Sequence, residues 1–188
     1  NYFSKKEFKE EIYKAKNQLE DVTSKKVIGF RAPFFSLNKD TVWALDVLAE
    51  LGFIYDSSIN PTFSFFHGFG EKTQIKPHKL DNGLYEYPLC IYSFLGLQIP
   101  ASGGIYLRSL PTSYFIKAIE KYNKNGLPAI FYFHTREVDK NLPRVNVNLL
   151  TWLITYYNNS NMLNKLKKVV SKFDFHPIKD HISKINKH

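Results

Sequence analysis

Three polar residues stand at the ends of short apolar runs: Arg31 after Val27 to Phe30, Asp56 after Phe53 to Tyr55, and His134 after Ala129 to Phe133. A histidine with a carboxylate partner is the usual make-up of a general acid or base, because the carboxylate fixes the ring's orientation and raises its basicity. An arginine drawn below the surface needs a carboxylate or carbonyl partner to offset its desolvation. Acid–base catalysis is therefore open to this set. Each member also has a plain structural alternative. Arg31 could pair with an ordinary structural carboxylate, Asp56 could cap the turn Asp56-Ser57-Ser58, and His134 could be a satisfied histidine at a strand end.

Other residues carry weaker chemical signals. His67 and His78 lie 11 positions apart, but no Cys or carboxylate pattern accompanies them, so surface or packing roles outweigh metal binding. Ser102-Gly103-Gly104 permits backbone to approach a ligand, or simply to turn, and it lacks the lysine and spacing of a phosphate-binding loop. The single cysteine, Cys90, has no intrachain partner and sits in an apolar run where packing is its expected role.

The elements that position these residues alternate. Ser4 and Glu7 form a capping box, Phe3 and Phe8 a hydrophobic staple, and Phe8, Ile12, Ala15 and Leu19 mark the buried face of a first helix. Val27 to Phe30 reads as a buried strand. Asn38 is placed to cap a second helix with Val42, Leu45, Leu48 and Leu51 inward, Trp43 in the core and Gly52 as its stop. Phe53 to Tyr55 is the next strand. Periodicity fades from Asn60 to Gly83, as in a long loop over a functional face. Leu84 to Ile91 is a further strand, and Pro111 opens a helix with Phe115, Ile119 and Tyr122 inward and Gly126 at its end. Ala129 to Phe133 is the clearest buried strand in the sequence. Leu149 to Tyr157 and Met162 to Lys172 read as helices, with Leu163, Leu166 and Val169 or Val170 inward, and the residues beyond Pro177 as a polar tail. In β/α architectures functional groups collect at the C-terminal ends of strands, which predicts Arg31, Asp56 and His134 on one rim.

A chain of 188 residues suits one domain with a substantial core. Its 44% apolar and 16% aromatic content excludes a disordered protein. The net charge of +9 favours anionic partners, but the lysines are spread along the chain, with one dense cluster at Lys165, Lys167 and Lys168. The charge is read as solvation, and no nucleic-acid motif accompanies it, so no nucleic-acid partner is expected. No apolar stretch approaches the roughly 20 residues of a membrane span.

Together the motifs resemble the polysaccharide deacetylases of the NodB-homology, carbohydrate esterase family 4 type, in particular the subgroup associated with exopolysaccharide and exosortase loci. The resemblance runs from about Phe8 to Ile178. It rests on R-A-P-F-F-S at 31 to 36, W-A-L-D-V-L-A-E-L-G-F at 43 to 53, Y-D-S-S-I at 55 to 59, P-H-K-L at 77 to 80, and L-Y-E-Y-P-L at 84 to 89. G-G-I-Y-L-R at 103 to 108 and F-Y-F-H at 131 to 134, with E-V-D soon after, complete it.

The resemblance implies an α/β fold, a distorted (β/α)7 barrel whose N-terminal strands are missing from the chain, spanning residues 1–178 before a polar tail at 179–188. It implies a metal-dependent hydrolase that removes N-acetyl groups from hexosamine units of a bacterial polysaccharide, with metal-bound water as nucleophile. His134 matches the general acid, Asp56 the carboxylate that holds it, and Arg31 the arginine that orients the base. Pro33 and Tyr132 match positions lining the acetyl pocket, and Phe34, Gly103, Gly104 and Tyr106 are further candidate substrate-binding residues. The implied cofactor is a divalent metal, Zn by the family pattern, and the implied partner an N-acetylated polysaccharide or oligosaccharide. A cytoplasmic or membrane-peripheral location in a bacterium goes with it.

The family's adjacent aspartates and paired histidines are not in the chain, so the base and metal ligands are expected upstream of Asn1. Thr135-Arg136 also stands where the family has Pro-Trp. The alternative is a catalytically inactive, glycan-binding domain whose aromatics Phe34, Phe35, Phe65, Phe66 and Phe69 stack on sugars.

Overall fold

The computed structural model describes residues 3–61, 74–94, 97–139 and 141–185; Phe65, Phe66, His67 and Phe69 lie outside the described residues. The chain divides into two compact units, Asn1–Leu89 and Cys90–His188.

The first unit starts with helix α1 (Lys5–Thr23). The predicted capping box forms: the Glu7 N–H donates to Ser4 Oγ at 3.3 Å and the Ser4 N–H to Glu7 Oε2 at 2.8 Å. Phe8 then meets Trp43 edge-on at 5.6 Å and Phe30 at 6.2 Å. The expected buried stripe stops short, because Ala15 is exposed and Leu19 is 53% exposed. Helix α2 (Trp43–Glu50), which packs on α1, has 8 residues against 19 and spans about 12 Å against about 28 Å. It cannot cover the whole stripe.

Asn38 caps a turn rather than the helix itself, its Oδ1 accepting the Asp40 N–H at 2.8 Å. Within α2 the buried residues are Ala44, Leu45, Val47 and Leu48, while Val42 before it is 47% exposed. Gly52 adopts φ 76° and the Phe53 N–H returns to the Leu48 carbonyl at 3.1 Å, the left-handed helix stop expected of a glycine there.

Four two-residue strands form one sheet: β1 (Gly29–Phe30), β2 (Tyr55–Asp56), β3 (His78–Lys79) and β4 (Tyr85–Glu86), in the order β1-β2-β4-β3. β1, β2 and β4 are parallel, and β3 lies antiparallel at the edge. The stretch read as the end of a long loop therefore contains a hairpin, closed by Gly83 at φ 88°. The register pairs Phe30 with Asp56 and Asp56 with Glu86.

The second unit opens on an antiparallel pair, β5 (Ile91–Phe94) and β6 (Leu97–Pro100). Helices α3 (Gly104–Ser109), α4 (Thr112–Lys124), α5 (Leu149–Tyr156) and α6 (Asn159–Val170) follow. Phe115, Ile119 and Tyr122 of α4 are buried as predicted, joined by Met162, Leu166 and Val169 of α6. Two expectations change here. Ala129 to Phe133 forms no ladder strand; the Cys90 N–H donates to Ile130 O at 3.0 Å and a bracket at Tyr132 fastens the segment further along. The presumed tail carries helix α7 (Ile178–Ile185) with Ile182 buried, since one apolar residue per turn suffices to seat a short helix.

Among the described residues the architecture is mixed α/β without a closed barrel. No described helix is long and apolar enough to cross a membrane.

Candidate functional site

The parallel sheet delivers Arg31 and Asp56 side by side, because Phe30 and Asp56 are register partners and Arg31 follows at once. Arg31 is an exposed residue rather than the sunken cation its flanking sequence predicts. Its guanidinium is nevertheless held: Nε donates to the Ser57 carbonyl at 2.9 Å and Nη2 to Ser57 Oγ at 2.7 Å, and the group lies 5.7 Å from the Phe35 ring. A carbonyl and a hydroxyl at the end of the sheet serve it without burial. Ser57 Oγ donates in turn to the Tyr87 carbonyl at 2.6 Å.

Asp56 is fully buried. Its Oδ1 accepts from Ser58 Oγ at 2.7 Å and its Oδ2 from the Ser58 N–H at 2.9 Å, while Ser58 Oγ accepts the Ala32 N–H at 2.7 Å. The turn-capping role read as the plain alternative for Asp56 is thus present, but it serves a larger lattice. Stretches 31–36 and 55–59 form one hydrogen-bonded unit. Burial pushes the Asp56 carboxyl up, and hydrogen bonds from Glu86 and Ser58 pull it back. Glu86, also fully buried, is raised well above the usual carboxylate range by burial and by the Asp56 charge.

Next to Arg31, the turn Pro33–Phe35 places two aromatic residues in the left-handed region, Phe34 at φ 57° and Phe35 at φ 52°. Such a conformation costs a non-glycine residue on the order of 1–3 kcal/mol and gathers at functional loops. Phe34 is 86% exposed, so the turn displays its ring to solvent.

In the second unit, Tyr132 is bracketed by the loop before α3: its N–H donates to Ser102 Oγ at 2.7 Å and its carbonyl accepts the Gly103 N–H at 3.0 Å. A Cβ on Gly103, at φ 87°, would stand 2.7 Å from the Tyr132 hydroxyl, and one on Gly104 1.3 Å from Glu137 Oε1. The two glycines make room for the protein's own side chains. His134 is exposed, meets the Tyr132 ring edge-on at 5.7 Å, and opens a turn (Thr135–Glu137) in which its N–H donates to Glu137 Oε2 at 3.2 Å and its carbonyl accepts the Glu137 N–H at 3.0 Å. Tyr106 is half-buried and packs against the core of this unit.

Several residues of these lattices carried no role in the sequence reading. Ser57 and Ser58 hold Arg31 and Asp56, Glu86 pairs with Asp56, and Glu137 steadies the His134 turn. Arg108 is buried, donating from Nε to Gly104 O at 3.2 Å, from Nη1 to Tyr157 O at 2.9 Å, and from Nη2 to Ile154 O. Lys165 donates to the carbonyls of Leu107, Arg108 and Leu110. The available signal was the one that singled out Arg31: a charge inside an apolar run, as in L-Y-E-Y-P-L and I-Y-L-R.

Arg31 and Asp56 belong to the first unit, and His134, Tyr132, Gly103, Gly104 and Tyr106 to the second. Among the described residues, no three His, Cys, Asp or Glu side chains are grouped so as to hold a metal ion, and His78 Nδ1 faces the Lys76 carbonyl at 2.9 Å.

Fold and lattices define a mixed α/β protein that brings a buried acid pair and a bracketed arginine to the strand ends of a small parallel sheet. The chain belongs to the family described as a domain of unknown function, DUF3473, whose model matches residues 57–183. His134 falls within that stretch, Asp56 immediately precedes it, and Arg31 lies upstream of it. No curated protein and no solved structure matches the chain.

Proposed function

We propose that this chain is part of a polysaccharide deacetylase, a hydrolase that removes N-acetyl groups from hexosamine units of a bacterial polysaccharide. On this reading His134 of the second unit is the general acid that protonates the leaving amine and Arg31 of the first the cation that orients the base, while Asp56, matched by the resemblance to the carboxylate that serves the acid, has its two oxygens on Ser58. The observation that carries this reading is the union of stretches 31–36 and 55–59 through Arg31, Ser57, Ser58 and Asp56. Those are two of the stretches on which the deacetylase resemblance rests, and a fully buried carboxylate with a raised pKa beside a hydrogen-bonded arginine is the kind of group that collects at functional sites. The parallel β1-α2-β2 unit, with β4 beside it, is the kind of piece from which a distorted (β/α)7 barrel is built.

The described residues do not fit a divalent metal, Zn included. On this reading the ligands and the base come from sequence upstream of Asn1. The candidate sugar contacts are Pro33 and Phe34 within the first unit and Tyr106 and Tyr132 within the second, while Gly103 and Gly104 leave room for the Tyr132 and Glu137 side chains.

A second reading, a glycan-binding domain without catalysis, is favoured by one observation, the exposed and strained Phe34. Acetate release from N-acetylated hexosamine oligomers by the natural full-length protein separates the two. His134→Ala should lower that release by about a hundredfold or more, the usual worth of a general acid, while metal content and glycan binding persist. Full activity in the variant would remove His134 from its role, and binding without release by the unaltered protein would establish the second reading.

A further inference from the structure

Glu86 has no role in the proposed reaction, yet it is as buried as any described residue. It lies in the motif L-Y-E-Y-P-L and is the register partner of Asp56 on the adjacent parallel strand. Its Oε1 accepts the Ile59 N–H at 3.2 Å. Its Oε2 is buried and reaches no hydrogen-bond donor. As an anion Glu86 would thus hold an unsatisfied, desolvated oxygen against a second buried carboxylate, an arrangement costing several kcal/mol. A proton removes both faults at once, because it turns the orphan acceptor into a donor to Asp56.

We propose that Asp56 and Glu86 form one acid pair carrying a single negative charge, in which Glu86 stays neutral, donates its proton to Asp56 and so acts as a positioning residue for it. Neutral buried acids that donate a hydrogen bond are an established device where two carboxyl groups share a site. The surroundings divide the roles. Asp56 receives two hydrogen bonds from Ser58, which favour its ionised form, whereas Glu86 receives one backbone N–H. Burial first, and the Asp56 charge second, hold the proton on Glu86.

The charged and titratable groups facing the pair are few. Arg31 at the end of β1 pulls Glu86 the other way, and His78 of β3 is its register partner on the far side. Tyr55 and Tyr87 flank it along β2 and β4, their rings 5.9 Å apart. None supplies a hydrogen bond to Glu86 Oε2.

The sign of the pH effect follows. At low pH both folded and unfolded states hold the Glu86 proton. Above the ordinary carboxylate range the unfolded chain releases it first, so folded stability falls as pH rises toward the raised folded pKa. Glu86→Gln is neutral at every pH and keeps a donor toward Asp56 and an acceptor for the Ile59 N–H, with one added N–H.

The pair itself is independent of the deacetylase reading; only its effect on turnover rests on it. The test combines infrared difference spectroscopy, unfolding midpoints across pH, and acetate release by the natural full-length protein. Expected are a protonated-carboxyl band at neutral pH that Glu86→Gln abolishes, and a flatter stability profile in that variant with a midpoint at or above the unaltered one at neutral pH. Glu86→Leu, which removes the donor, should lower kcat by about tenfold or more with KM little changed, and Glu86→Gln should recover most of that loss. Absence of the band, or an unchanged pH slope in a folded Glu86→Gln protein, would overturn the pair. If band and slope are as stated but neither Glu86→Leu nor Asp56→Asn alters acetate release, the pair stands and the catalytic assignment of Asp56 falls.

Discussion

At the scale of single residues, the chain concentrates cost where the candidate site lies. Asp56 and Glu86 are fully buried carboxyl groups, and Phe34 and Phe35 hold a backbone conformation that glycine adopts freely. Relief of that cost should therefore separate stability from function. Phe34→Gly is expected to leave stability unchanged or raise it by up to about 1 kcal/mol, the left-handed penalty less the entropy a glycine adds. The same change should weaken binding of N-acetylated hexosamine oligomers by about tenfold, or roughly 1.4 kcal/mol, as the exposed ring is lost. Thermal unfolding and oligosaccharide titration together check it. A large loss of stability would mean that the Phe34 ring packs rather than binds.

At the scale of elements, charge inside the protein serves as fastening. Arg108 ties α3 to the carbonyls at the end of α5, and Lys165 of α6 caps the carbonyls at the end of α3. Burial pushes both cations toward their neutral forms, while the Glu137 carboxylate counters this at Arg108. Arg108→Met removes the charged donor from the carbonyls of Gly104, Ile154 and Tyr157, so it should destabilise the protein by about 3 kcal/mol or more, read as a lower denaturation midpoint. An effect below about 1 kcal/mol would mean that water replaces the guanidinium at those carbonyls. The surface pairs of α1 are a contrast: Lys9 and Glu50 meet at 2.8 Å but are both about half exposed, so water and salt screen the pair and it fastens little.

At the scale of the whole molecule, two units each close a core of their own, one around Leu45, Leu48 and Phe53, the other around Cys90, Phe115 and Met162. Cys90 is fully buried, and burial pushes its thiol up to about 12. Since the thiolate is the reacting form, alkylation should require opening of the second unit and should rise with denaturant along its unfolding curve. Rapid labelling of the native protein would show that this core opens locally.

Much of this was legible in the sequence wherever a signal is local. The capping box at Ser4, the glycine stop at Gly52, the buried stripe of α4 and the strand ends at Arg31 and Asp56 each depend on residues within a turn or two of one another, and the chain carries that pattern itself. The signals that failed depend on what lies opposite. Leu19 has the right spacing but no cover from a shorter α2, Ala129 to Phe133 has strand residues but isolated partners, and Ile182 gives an apparent tail a seat. Local periodicity thus determined which residues face inward and which polar groups end the strands. Only the tertiary structure decided that Arg31 rests on Ser57 and that Asp56 lies against Glu86, because register and burial arise between segments distant in the chain and no local pattern encodes them.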